Sequence, residues 1–214
     1  SMTGGIAGYS TAVIRSCYAK CTLSGTEQIG GIAGYGSTIS DCYSMVNIPE
    51  EGSFSGSIAG KVKELSSLEN NFFVEGCPAG VDGVSYGGLA QPLSYEDFMA
   101  LPGLPEMFQN IFLTFVADGQ TVSVVTLEYG DSFHPDQLPS LPEKEGCTGE
   151  WESFDYDSIT FDRTINAVYT EYITALESEQ KIGERPILLI EGQFSSEDSL
   201  TLSPADLLPE ETDA

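Results

Sequence analysis

Basic residues are scarce: eight Lys and Arg stand against 33 Asp and Glu, a formal charge of −25. Nucleic-acid phosphates and anionic headgroups are held by clustered Lys and Arg that release counterions, so this balance argues against a nucleic-acid partner and against an anionic membrane surface. No apolar run approaches the ~18 residues that a spanning helix needs, and no basic segment followed by an apolar stretch opens the chain. No membrane insertion is therefore expected of these residues, and any sorting signal would lie elsewhere. Histidine occurs once, as His134, and tryptophan once, as Trp151. Five cysteines (17, 21, 42, 77 and 147) form an odd set without a CxxC pair. That spacing speaks against a structural zinc site and against a dense disulfide framework. Each is expected to be a small buried hydrophobe.

The acids are unevenly placed. Residues 1–110 carry 11 acids and four bases, whereas 111–214 carry 22 acids and four bases. Such a charge favours solubility in dense surroundings, which suits exposure outside a cell.

Self-similarity organises the first part of the chain. Gly4-Gly5-Ile6-Ala7-Gly8-Tyr9 returns 26 residues later as Gly30-Gly31-Ile32-Ala33-Gly34-Tyr35, and at the same shift as Gly56-Ser57-Ile58-Ala59-Gly60-Lys61. Ile14-Arg15-Ser16-Cys17-Tyr18 likewise matches Ile39-Ser40-Asp41-Cys42-Tyr43, with Leu68-Glu69-Asn70-Asn71-Phe72-Phe73 after a longer insertion. Short strands at a fixed period, separated by Gly, Ser and Thr turns, predict a mainly β fold that begins as a short β-solenoid-like array. Repeats fall near 4–29, 30–55 and 56–85, and Ile6, Ile32 and Ile58 are expected to stack inward. Cys17 and Cys42 then lie one turn apart, at about the 4.8 Å strand spacing, so a stacked thiol pair and a disulfide both remain open.

The run GGIAGY followed by IRSCY or ISDCY resembles the GLUG repeat of bacterial surface and secreted proteins, over residues 3–75. The resemblance implies a right-handed solenoid of structural repeats at a cell surface. Residues 86–110, with Tyr86-Gly87-Gly88-Leu89-Ala90 and Tyr95-Glu96-Asp97-Phe98-Met99, resemble the segment that closes such arrays. On spacing alone, Ser94 before Glu96 and Asp97 starts a short capping helix that Pro102 ends.

From Ile111 the texture changes. Two β-branched and aromatic runs, 111–117 and 121–129, are joined by Asp118-Gly119, which is a strong hairpin signal. Pro135, Pro139 and Pro142 leave room for one helical turn near 136–138, and 164–172 reads as a further strand. Asp118-Gly119, Tyr129-Gly130, Pro142, Gly146, Thr148-Gly149, Trp151 and Ala167-Val168-Tyr169 fall in an order that resembles the internalin-B-type repeat, itself related to mucin-binding repeats. The resemblance covers 111–172 and implies a β-grasp-like spacer or contact module. Cys147 departs from it, because the family often places an aromatic residue there. Residues 173–214, with apolar runs at 187–190 and 200–202 and a closing acidic stretch, read as the start of a further β module and an acidic tail, truncated from a longer protein.

Candidate chemistry is sparse. His134 precedes Pro135, without a GxSxG or HExxH partner, and reads as a solvated loop residue. Acid pairs are numerous enough that no single one marks a glycosidase. The best calcium candidates are Asp155, Asp157 and Asp162, which lack the DxDxDGx₅E loop spacing and otherwise form a solvated acidic loop. Tyr9, Tyr18, Tyr35 and Tyr43 recur at repeat positions and form either a row of exposed rings for a carbohydrate or a stacked tyrosine core.

The expectation is therefore a non-catalytic part of a secreted or wall-attached bacterial protein, without a cofactor, acting as an adhesin-type binding or spacer module for a host glycan or protein ligand. Two alternatives stand beside it: a non-catalytic extension of a large secreted enzyme such as an IgA-type metallopeptidase, and a carbohydrate-binding module.

Overall fold

The computed structural model describes residues 1–49, 52–177, 181–186 and 189–195, and the protein is mainly β. The chain forms two compact units. The first comprises the described residues of 1–139 and 153–165, the second those of 140–152 and of 166–195. The expected boundary between residues 110 and 111 falls inside the first unit.

The repeated segments lie in register on one another. β1 (Thr3–Gly4), β4 (Glu27–Gly30) and β7 (Ser53–Gly56) form one parallel ladder. A second contains β2 (Ala7–Arg15), β5 (Ala33–Ser40) and β8 (Ala59–Val62), with β9 (Leu68–Glu69) also on β5. The third runs β3 (Tyr18–Thr22), β6 (Tyr43–Asn47), β10 (Asn71–Val74), β11 (Ala90–Leu93), again parallel throughout. Ala7 faces Ala33 and Ala33 faces Ala59, so the 26-residue shift in sequence is one strand step in space.

The glycines of each run permit three close approaches that a side chain would block. A Cβ on Gly30 would sit 1.9 Å from the Ala33 carbonyl oxygen, one on Gly31 1.9 Å from the Ser57 carbonyl oxygen in the next turn, and one on Gly34 2.6 Å from the Gln28 carbonyl oxygen. The third turn carries Ser57 in place of the second glycine. Its hydroxyl donates to the Pro78 carbonyl, and its N–H donates to the Ala79 carbonyl at 2.9 Å. Residues 79–93 thus close this end of the stack.

Ile32, Ala33, Ile39, Ile58, Ala59, Leu68 and Phe73 fill the interior of the array. Ile32 and Ile58 are fully buried as expected, but Ile6 is 47 % exposed. The expectation fails at Ile6 because no strand lies on the outer edge of the first turn among the described residues. Ile14 and Ala19 on the edge strands of the same turn stay buried at 7 and 5 %, so the loss is local to the Gly-Ile-Ala segment.

Past the array, Ser94 caps α1 (Tyr95–Met99), its hydroxyl accepting from the Asp97 N–H at 3.1 Å, and Phe98 enters the core. β12 (Asn110–Ala117) and β13 (Gln120–Glu128) make the expected antiparallel hairpin, with Asp118 at φ 47° and Gly119 at φ 76° in its turn. Ile111, Leu113, Phe115 and Ala117 alternate inward along β12, and Phe115, Phe133, Phe154 and Tyr156 form an aromatic cluster. One short helical turn, Pro135–Gln137, stands where the prolines allow it.

In the second unit β14 (Cys147–Trp151) pairs antiparallel with the part of β15 (Arg163–Glu177) beyond Ile165, from Cys147 opposite Glu171 to Trp151 opposite Ala167. β16 (Lys181–Ile182) pairs with β17 (Arg185–Pro186), and β18 (Leu189–Ser195) pairs with β15. The strand expected at 187–190 is met by β18 from Leu189; residues 187 and 188, the run at 200–202 and the acidic tail lie outside the described residues. No described helix is long and apolar enough to cross a membrane.

Candidate functional site

The four repeat tyrosines divide into two rows. Tyr9 on β2 and Tyr35 on β5 are direct cross-strand partners, and their rings stack at 5.1 Å between centroids with 14° between planes. Tyr9 is 58 % exposed. The next rung of this row is Lys61, opposite Tyr35, whose ammonium lies over the exposed Phe54 ring at 5.1 Å. The row therefore presents two stacked rings followed by a cation.

The other row is half-buried. Tyr18, Tyr43 and Phe72 follow one another at 5.6 and 6.0 Å, and Tyr43 meets Phe98 of α1, which in turn meets Phe108. Burial, with smaller contributions from Tyr18 and Asp41, pushes the Tyr43 phenol above its usual value. One row is thus stacked with Tyr9 exposed, and the other is half-buried against α1. The sequence could not separate them, because the tertiary neighbours Phe98 and Phe108 lie far along the chain.

The acidic candidates are not drawn into one ligand set. Asp155 and Asp157 are exposed, and an Asp155 carboxylate oxygen accepts the Asp157 N–H at 3.0 Å. They border a recess of about 130 Å³ that Asn47, Ser158 and Arg163 share. Asp162 is committed elsewhere: its Oδ1 accepts from Lys20 Nζ at 2.6 Å and from the Phe112 N–H at 2.9 Å. Lys20 also donates to the Asn110 carbonyl at 2.6 Å and lies 5.1 Å from the Phe112 ring centroid. A carboxylate neutralised by an ammonium is a poor calcium ligand, since the oxygen charge that would hold the cation is already matched. Among the described residues no group of three or more His, Cys, Asp or Glu could hold a metal ion.

All five cysteines are free thiols. Cys42 donates to the Ser40 carbonyl at 3.1 Å, with a longer contact to the Ile14 carbonyl of the first turn at 3.9 Å, and Cys17 donates to the Arg15 carbonyl at 3.3 Å. Burial raises the Cys42 and Cys77 thiols to about 11 each and raises Cys21 as well. Such thiols are poor nucleophiles, because the thiolate is the reactive form. His134 is exposed in the Pro-rich turn, where its N–H donates to Gln137 Oε1 at 3.1 Å.

Sequence reasoning missed three features. Asn71 takes the repeat position of Cys42 and is fully buried: its amide donates to the Ile39 and Leu89 carbonyls at 2.9 Å each, and its oxygen accepts the Cys42 N–H at 3.1 Å. The offset was visible in Leu68-Glu69-Asn70-Asn71-Phe72, but not that the amide would clip one turn to the next. In the second unit a recess of about 740 Å³ lies among Leu141, Lys144, Gly146, Tyr169, Tyr172 and Gln193. One face of Tyr169 is covered there by Lys144 at 4.9 Å, and its hydroxyl donates to the Pro142 carbonyl at 2.7 Å. In the first unit another recess, of about 580 Å³, is bordered by Thr22, Asn47, Phe112, Asp162, Arg163 and Thr164. No family model, no curated protein and no solved structure matches the chain.

Proposed function

We propose that this chain is a non-catalytic binding and display segment of a secreted or cell-surface bacterial protein, and that the Tyr9–Tyr35–Lys61 row is its contact surface. The observation that carries this reading is the stacked tyrosine pair, with Tyr9 58 % exposed and the half-buried Tyr35 ring 5.1 Å away. Exposed aromatic faces are costly to hydrate and are enriched where proteins meet ligands. Rings one strand apart on a parallel ladder offer sites at a spacing of about 4.8 Å, which suits an extended partner better than a compact substrate. Because the facing ring planes are stacked on one another, the row offers a partner the outer face of Tyr9 and the edges and hydroxyls of both rings, and the terminal Lys61 favours a carboxylate-bearing chain. The stacked repeats supply the rigid spacing, and this array with its following β module fits the GLUG-like and internalin-like surface proteins that the sequence resembles.

The test is a glycan and host-matrix array probed with the whole chain and with the Tyr9→Ala/Tyr35→Ala variant. Reproducible binding by the first, at least ~10-fold weaker in the second, supports the contact surface. Silence from a folded wild-type sample overturns it and leaves a spacer role.

A further inference from the structure

The array has two unlike ends. Residues 79–93 close one of them, where the Ser57 and Ile58 N–H groups donate to the Ala79 and Gly80 carbonyls at 2.9 Å. At the other end β1, β2 and β3 are all edge strands. Met2, Ile6, Tyr9 and Val13 are exposed there by 45, 47, 58 and 61 %. A flat parallel edge with apolar side chains is a surface that natural proteins normally cover or charge.

What covers this side of a turn is visible twice. The carbonyls of Gly31 and Ile32 accept from the Gly5, Ile6 and Ala7 N–H groups of the first turn, at 3.1 Å each. One turn on, the Gly56 and Ile58 carbonyls accept from Gly31, Ile32 and Ala33 at 2.9 to 3.1 Å. The equivalent carbonyls of the first turn, those of Gly5 and Ile6, have no such partner among the described residues. The covering group in both observed cases is a parallel turn whose Gly-Ile-Ala amides point at its neighbour.

The geometry points to one occupant for the open end: a further turn of the same 26-residue repeat, entered directly ahead of β1 in the parallel register. A second copy of this chain fits poorly. Laid open end to open end, the two would bring Gly5 and Ile6 carbonyls against one another with no amide between them, and laid head to tail each would meet the closed end at 79–93. Such a turn would bury Ile6 as Ile32 is buried and would place another ring on the Tyr9–Tyr35 row. The inference stands whether or not that row has a ligand.

The test fuses a duplicate of residues 27–52 ahead of Ser1, which preserves the 26-residue spacing, and compares it with the unextended chain. The added Gly-Ile-Ala amides are expected to exchange at least ~100-fold more slowly than in the free peptide. The melting temperature is expected to rise by about 5 °C, as a new interface between repeats requires. Ile6→Lys should abolish both effects in the extended protein while shifting the melting temperature of the unextended chain by no more than about 1 °C, since a half-exposed side chain loses little. Added residues that exchange like free peptide, with an unchanged melting temperature, overturn the proposal. So does light scattering that finds the unextended chain dimeric and Ile6→Lys monomeric, because that outcome assigns the edge to a second copy.

Discussion

Asn71 shows how much one side chain contributes to this array. Its amide satisfies two carbonyls and one N–H in a place without water, joining Ile39 and Cys42 of the second turn to Leu89 of the closing segment. Replacing it by Leu keeps the volume but takes this partner from the Ile39 carbonyl and the Cys42 N–H, while the Leu89 carbonyl still accepts the residue-71 N–H at 3.3 Å. Asn71→Leu is therefore expected to cost roughly 3 kcal/mol, with orphaned buried polar groups costing about 1–3 kcal/mol each, read from the urea midpoint. The thiols give a second prediction at this scale. Cys42 and Cys77 are raised to about 11 by burial, so the folded chain holds these protons more tightly than the unfolded chain does. Their contribution to stability is fully present below the unfolded thiol value and is lost as pH rises through the folded one. Stability should be flat with respect to these groups up to about pH 8.5 and fall from there toward pH 11. Replacing both by Ala should flatten that part of the pH profile. At pH 8 both thiols should resist iodoacetamide in the folded protein and react on unfolding, as peptide mass spectrometry would show.

Among the elements, the β12–β13 hairpin rests on two left-handed residues, Asp118 at φ 47° and Gly119 at φ 76°. A Cβ on Gly119 would meet nothing within 4 Å, so Gly119→Ala probes backbone conformation alone. It is expected to lower stability by about 1 kcal/mol, whereas Asp118→Asn should be close to neutral because Asn tolerates the same region. This turn was legible in the sequence, since Asp-Gly between alternating apolar runs encodes its own geometry locally. So were the 26-residue shift and the Ser94 cap, whose chemistry lies within a few residues. Left-handed conformations at Ser16, Asp41 and Asn70, one per turn just before Cys17, Cys42 and Asn71, were not legible, because three different residue types share one backbone shape there. The exposure of Ile6 was equally hidden. Periodicity states which side chains are equivalent, but burial depends on which turns have neighbours. The candidate site divided on the same principle: the tyrosine positions could be read, while the covering of the Tyr18–Tyr43 row depended on Phe98 and Phe108, which are brought in by the fold.

Across the first unit, the ion pair of Lys20 and Asp162 joins segments that the sequence reading assigned to separate modules. Lys20 on β3 reaches the Asn110 carbonyl at the head of β12 and the carboxylate of Asp162, partners 90 and 142 residues away. The Lys20 side chain is 3 % exposed and that of Asp162 is 36 % exposed, so removing one partner does not mirror removing the other. Asp162→Asn leaves a buried ammonium with neutral acceptors only and should cost roughly 3 kcal/mol. Lys20→Met leaves a carboxylate that still accepts from the Phe112 N–H and reaches water, and should cost about 1–2 kcal/mol. If this contact couples the array to the hairpin, the wild-type unit unfolds in urea as one transition. Limited proteolysis should then release no fragment ending between residues 100 and 112. In Asp162→Asn the transition should broaden or divide, and a cut in that interval should free the array. Equal losses from the two variants would show that the ammonium is hydrated after all. A single transition in both would place the coupling in the aromatic packing of Phe98 and Phe108 rather than in the charge pair.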